Sequence, residues 1–98
     1  MQTPIKAAGL CWYTRQNYAR VLAVMADAEK LPRSYDKWRK EAEAAEQRFR
    51  AQGWIVHRID CDADAFLAWC TARNVDADAK ARIAFANEAA ARKYGHPR

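Results

Sequence analysis

Ninety-eight residues set the scale of one small domain with one modest core. A hydrophobic share of 51% beside 30% charged residues excludes a disordered chain. No run approaches the ~20 apolar residues of a membrane-spanning helix, and a net charge of +5 is compatible with nucleic acid or acidic protein partners without choosing between them.

The positive excess is uneven. Residues 1–34 carry five Lys/Arg against two acids, residues 35–53 five against four, and residues 54–98 seven against six. Ala is abundant while Gly and Pro number three each, a composition that favours helix. The three Cys, an odd number, suit reduced thiols better than a disulfide framework. Lys6 precedes an apolar run, Ala7 to Tyr13, that is too short for a secretory leader, so a cytoplasmic location is expected.

Residues 1–13 read as a partly irregular arm, because Pro4 and Gly9 interrupt it while Ile5, Leu10, Trp12 and Tyr13 pin it to a core. Thr14 to Leu31 reads as a helix. Thr14 is its N-cap, Tyr13 and Tyr18 take staple positions, and Val21, Leu22, Met25 and Ala28 continue a 3.6-residue spacing up to Pro32. Ser34 to Gln52 reads as a longer helix, capped by Ser34 and stopped by Gly53. Its seam is Tyr35, Trp38, Ala42, Ala45 and Phe49. The i,i+4 pairs Lys37/Glu41, Arg39/Glu43 and Glu46/Arg50 read as a solvated face.

Residues 54–60 give the one clear strand, with Ile55, His57, Ile59 and Cys61 on one face and Trp54, Val56, Arg58 and Asp60 on the other. Asp62 or Asp64 caps a third helix ending near Asn74. Asp76 or Asp78 caps a fourth, running to Tyr94 before Gly95 and Pro97, with residues 95–98 as a tail.

The expected fold is therefore a predominantly helical α+β domain, in the order arm, helix, helix, strand, helix, helix. The first two helices would form an antiparallel hairpin and the last two would cover the strand. A lone strand needs a backbone partner. Either the arm supplies it or the same strand of a second copy does, across a twofold axis. Pro4 and Gly9 weaken the arm as a strand, which favours the homodimer.

No motif dictates a chemistry. His57 and Cys61 share a strand face but sit ~13 Å apart if extended, too far for a thiolate–imidazole pair. His57, Cys61 and Cys70, with His96 or Cys11, lack the close ligand pairs of a zinc site. Asp60, Asp62 and Asp64 begin like a calcium loop, but Ala65 and Thr71 occupy the positions that loop gives to Gly and Glu. Glycines at 9, 53 and 95 form no phosphate cradle. The third and fourth helices resemble a helix-turn-helix in outline, but Asp76 and Asp78 would meet the phosphates. No catalytic residue, metal or cofactor is expected.

What remains is a basic, aromatic-rich N-terminal half. The expectation is a non-enzymatic accessory or regulatory protein that binds another protein or itself through Arg15, Arg20, Lys30, Arg33, Lys37 and Lys40, with Trp12 or Trp69 as exposed aromatic anchors. Two alternatives stay open. The same cations, interleaved with Tyr18, Tyr35 and Trp38, could bind single-stranded nucleic acid. A small enzyme or ligand site could use His57, Asp60, Cys61 and Asp62 at the strand's C-terminal end. No membrane partner is expected.

Overall fold

The computed structural model describes residues 6–94. Pro4 and Ile5 of the arm, and the C-terminal Gly95, His96 and Pro97, lie outside the described residues. The chain is a predominantly helical α+β structure: β1 (Ala7–Trp12), α1 (Arg15–Val24), a 3₁₀ turn (Ala28–Lys30), α2 (Tyr35–Ala51), β2 (Ile55–Asp60), α3 (Ala63–Arg73) and α4 (Ala79–Tyr94).

The arm supplies a strand. β1 and β2 pair in parallel, with Ala7 opposite Ile55, Gly9 opposite His57 and Trp12 opposite Asp60. Two helices intervene between them, which gives the chain the length a parallel return requires. The pairing need that motivated a twofold partner is thus met within the chain. Two strands alone are marginal in water, and helices cover both faces. On one face, Ile59 packs with Ala86 and Ala90 of α4, and the His57 ring stacks on Tyr94 at 3.8 Å. On the other, Trp12 meets Trp38 of α2 with centroids 5.3 Å apart, and Arg58 reaches Glu46 of α2.

Gly9 does not weaken β1; it lets α4 sit on it. A Cβ built there would lie 2.3 Å from the Ala86 carbonyl oxygen, so only a residue without a side chain fits. Asn87, next along α4, accepts the Gly9 N–H at 2.9 Å.

The helix ends follow local chemistry. Thr14 Oγ1 accepts from Asn17 N, Ser34 Oγ from Lys37 N, Asp62 Oδ2 from Ala65 N and Asp78 Oδ1 from Ala81 N. The Tyr13 and Tyr18 rings meet at 5.9 Å, as the staple positions require. α2 ends in a Schellman arrangement: Gly53 N donates to Arg50 O, Trp54 N donates to Phe49 O, and the Trp54 and Phe49 rings touch at 5.6 Å. Gly53 holds φ +88°.

Four expectations change. α1 stops at Val24 rather than Leu31, because Met25 leaves the helix to enter the core and Ala26 N donates to Ala77 O at 2.7 Å. That tertiary bond outweighs the continuing apolar period. α1 and α2 do not make the hairpin: after its first turn, where Tyr35 and Trp38 meet Tyr18, α2 leaves to cover the sheet, and α1 packs chiefly on α3. α4 with α2, rather than α4 with α3, covers the strand. Glu46 does not lie on a solvated face; it is 2% exposed, gripped by Arg58 through Nε at 2.7 Å and a terminal nitrogen at 2.8 Å, with Arg50 at 3.6 Å.

The larger core cluster joins Tyr13, Tyr18 and Val21 to Trp38, Phe66 and Cys70, and so ties α1, α2 and α3 together.

The two glycines should respond differently to one added methyl. Gly53→Ala meets no atom within 4 Å and opposes only the positive φ, so it should cost ~1 kcal/mol. Gly9→Ala must push α4 off β1 and should cost about 3 kcal/mol or more. Urea unfolding of both variants checks this; equal losses would contradict the close approach.

Candidate functional site

The cations singled out in the sequence divide into two groups. Arg15 is spent on Asp36 at 2.6 Å and lies over the Tyr35 ring at 4.8 Å; Arg20 is spent on Asp64 at 3.0 Å. Asp36 is held below the usual carboxylate range by the Arg15 hydrogen bond. Lys30, Arg33, Lys37 and Lys40 are exposed and have no ion pair among the described residues. These four fall between the end of the 3₁₀ turn and the second turn of α2.

The aromatics between them are not free. Tyr18 is 3% exposed and Trp38 7%, and their rings meet at 5.8 Å, tilted by 35°. The Tyr35 hydroxyl donates to the Tyr13 carbonyl. These rings close the core instead of presenting faces to a base.

The two tryptophan anchors are separated from this surface. Trp12 is half-buried, sandwiched between Trp38 and the Arg58 guanidinium at 3.9 Å. Trp69 lies on α3 among Phe66, Phe85 and Arg73, beside a separate cavity of about 180 Å³ bordered by Val75 and Asp78.

A groove of about 270 Å³, which no sequence pattern announces, reaches the stretch of free cations at Leu31. Its floor is β1 from Gly9 to Cys11, continuing to Tyr13. One wall is Leu31 with Trp38, Ala42 and Ala45 of α2; the other is Ala79, Arg82 and Ile83 of α4. Leu31 lies between Lys30 and Arg33 in sequence, and Trp38 follows Lys37. Ile83 is 62% exposed. The one sequence signal for it is Ile83 itself, an apolar residue that helical spacing with Ala79, Ala86 and Ala90 assigns to the core of α4.

Arg82 at the groove is already committed. It grips Asp27 through two terminal nitrogens at 2.7 and 2.9 Å, and the hydrogen bond holds the Asp27 carboxyl below its ordinary range. The pair ties the α1–α2 connection to α4.

The catalytic alternative finds its residues in other roles. Asp60, Cys61 and Asp62 border a cavity of about 240 Å³ with Trp12, Thr14 and Asn17, at the C-terminal ends of both strands. Asp62 caps α3, Cys61 is 2% exposed, and Asn17 bonds both the Cys61 carbonyl and the Ala63 N–H. His57 lies four residues up the strand on Tyr94. Burial pushes the Cys70 thiol up; a hydrogen bond donated by Cys11 to Cys61, then burial, push Cys11 up, so neither is poised as a thiolate. Among the described residues no group of three His, Cys, Asp or Glu side chains is placed to hold a metal ion, and no helix is long and apolar enough to cross a membrane.

No protein-family model, curated protein or solved structure matches the chain. The functional reading therefore rests on geometry and charge.

Two arginine-bound carboxylates, the buried Glu46 and the partly buried Asp27, set an acid limb. Arg58 lowers Glu46 and Arg82 lowers Asp27, mainly by hydrogen bonding. Folded values below the unfolded ~4 mean that each contributes stability above pH ~4 and loses it as pH falls through the folded value. Glu46→Gln should cost about 2 kcal/mol at pH 7 and flatten the fall in stability below pH ~4. An unchanged acid limb in that variant would contradict the assignment.

Proposed function

We propose that this chain is a non-enzymatic accessory or regulatory protein that binds another protein through the basic face at the start of α2. The observation that carries this reading is the set Lys30, Arg33, Lys37 and Lys40: four exposed cations without an acid partner among the described residues, with Leu31, between the first two, lining an apolar groove. A protein partner with an acidic rim around an apolar contact matches both halves of that surface.

The same observation weighs against single-stranded nucleic acid as the preferred partner. That mode combines cations with aromatic faces on which bases stack, and here Tyr18 and Trp38 are buried on each other. Arg15 and Arg20, two of the six expected phosphate contacts, are held by Asp36 and Asp64. Self-association is the other protein-partner version, and it differs in requiring no second species.

Lys30→Glu combined with Arg33→Glu reverses charge on exposed positions and should leave stability within ~0.5 kcal/mol. A tagged wild-type chain is expected to retain a specific protein from native lysate after nuclease treatment, and the double variant to lose it. Retention that vanishes with nuclease would transfer the reading to nucleic acid. Equal retention by both chains would remove this face from the account.

A further inference from the structure

The groove beside the free cations has a floor made of backbone, and that backbone is a strand edge. Ile55 N donates to Lys6 O, and Cys61 N donates to Trp12 O. In a parallel ladder this phase turns the even positions of β1 toward β2 and the odd positions, Ala7, Gly9 and Cys11, away from it. The outward N–H of Gly9 is taken by the Asn87 side chain. The outward N–H and C=O of Cys11 have no such cover among the described residues, and they open onto the groove.

We propose that this edge accepts an extended segment of a partner protein, added as a third strand on β1 between α2 and α4. The proposal rests on the protein-binding reading above and specifies what is bound. A strand of about four or five residues, at ~3.3 Å each, would run the length of the floor. Its backbone bonds to the Gly9 C=O and to the N–H and C=O of Cys11 would supply affinity, and alternate side chains would enter the groove. The walls accept small or branched apolar groups: Ala42, Ala45 and Ala79 leave space, and the exposed Ile83 offers a contact with no neighbour of its own size.

Charge selects the occupant. With Trp38 and Ala45 facing the groove, the 100° step of the helix places Lys37 and Arg48 on the flank of α2 remote from Glu46 and β2, with Glu41 as the one acid among them. On α4, Lys80 borders the Trp69 cavity with Asp76 and Asp78 and adds nothing to this rim. Arg82 is neutralised by Asp27. The rim is net positive, so the segment is apolar in the middle and acidic at its ends. A second copy of this chain fits less well, since edge-to-edge pairing would bring Lys37 and Arg48 of two chains together.

The test uses the full chain and a displayed library of random linear peptides. Selection is expected to enrich sequences that alternate apolar residues and carry Asp or Glu at their ends. A synthesised peptide from that set should slow hydrogen exchange at the Cys11 amide, bind more weakly as salt rises, and lose about tenfold in affinity to Ile83→Glu. Ile83→Ala serves if the charged variant fails to fold, with a smaller loss in the same direction. Absence of enrichment, or a selected peptide that leaves the Cys11 amide unchanged, overturns the proposal. So does a chain that alone doubles its mass with concentration while protecting Cys11, because the occupant is then a second copy. If Lys30→Glu with Arg33→Glu releases a captured protein and Ile83→Glu does not, the binding face stands and the strand edge falls.

Discussion

The structure depends on one close approach. α4 lies on β1 at Gly9, where the space for a Cβ is filled by the Ala86 carbonyl. A two-stranded parallel sheet has little stability of its own. It persists here because α4 clamps one face through Ala86, Ala90 and Tyr94, and α2 clamps the other through Trp38 and Glu46. The approach at Gly9 also sets how far α4 stands from α2, and so creates the groove along the outer side of β1.

Two ion pairs connect the layers at points where packing alone would be thin. Arg58 joins β2 to Glu46 deep on α2, and Arg82 joins α4 to Asp27 in the α1–α2 connection. In both, the acid is the more protected or equally protected partner, so an unpaired carboxylate would be left poorly solvated if the arginine moved. Such pairs fix geometry better than they add stability. With the surface pairs of Arg15 and Arg20 they withdraw four arginines from any ligand and leave Lys30, Arg33, Lys37 and Lys40 among the cations without an acid partner in the described residues.

The helices and β2 were legible because their signals are local. Thr14, Ser34, Asp62 and Gly53 act on neighbouring backbone groups, and their hydrogen bonds are where the spacing put them. β1 was obscured because Gly9 reads as a strand breaker until the helix resting on it is known. The end of α1 was obscured because Ala26 is claimed by Ala77, a residue far along the chain. Glu46 looked solvated because its i,i+4 partner Arg50 is exposed, while the arginine that buries it comes from β2. Of the candidate surface, the cations are legible in the sequence, but which of them are free depends on Asp36 and Asp64, and the groove depends on the whole assembly.

The most direct measurement is residue-by-residue hydrogen exchange of the backbone amides of both strands in the free chain. The account predicts slow exchange at Leu10, Trp12, His57 and Ile59, which face the partner strand, and at Gly9, held by Asn87, with fast exchange at Cys11. Protection at Cys11 with fast exchange at Leu10 and Trp12 would mean that β1 turns its other edge inward, which would contradict both the register and the open edge built on it.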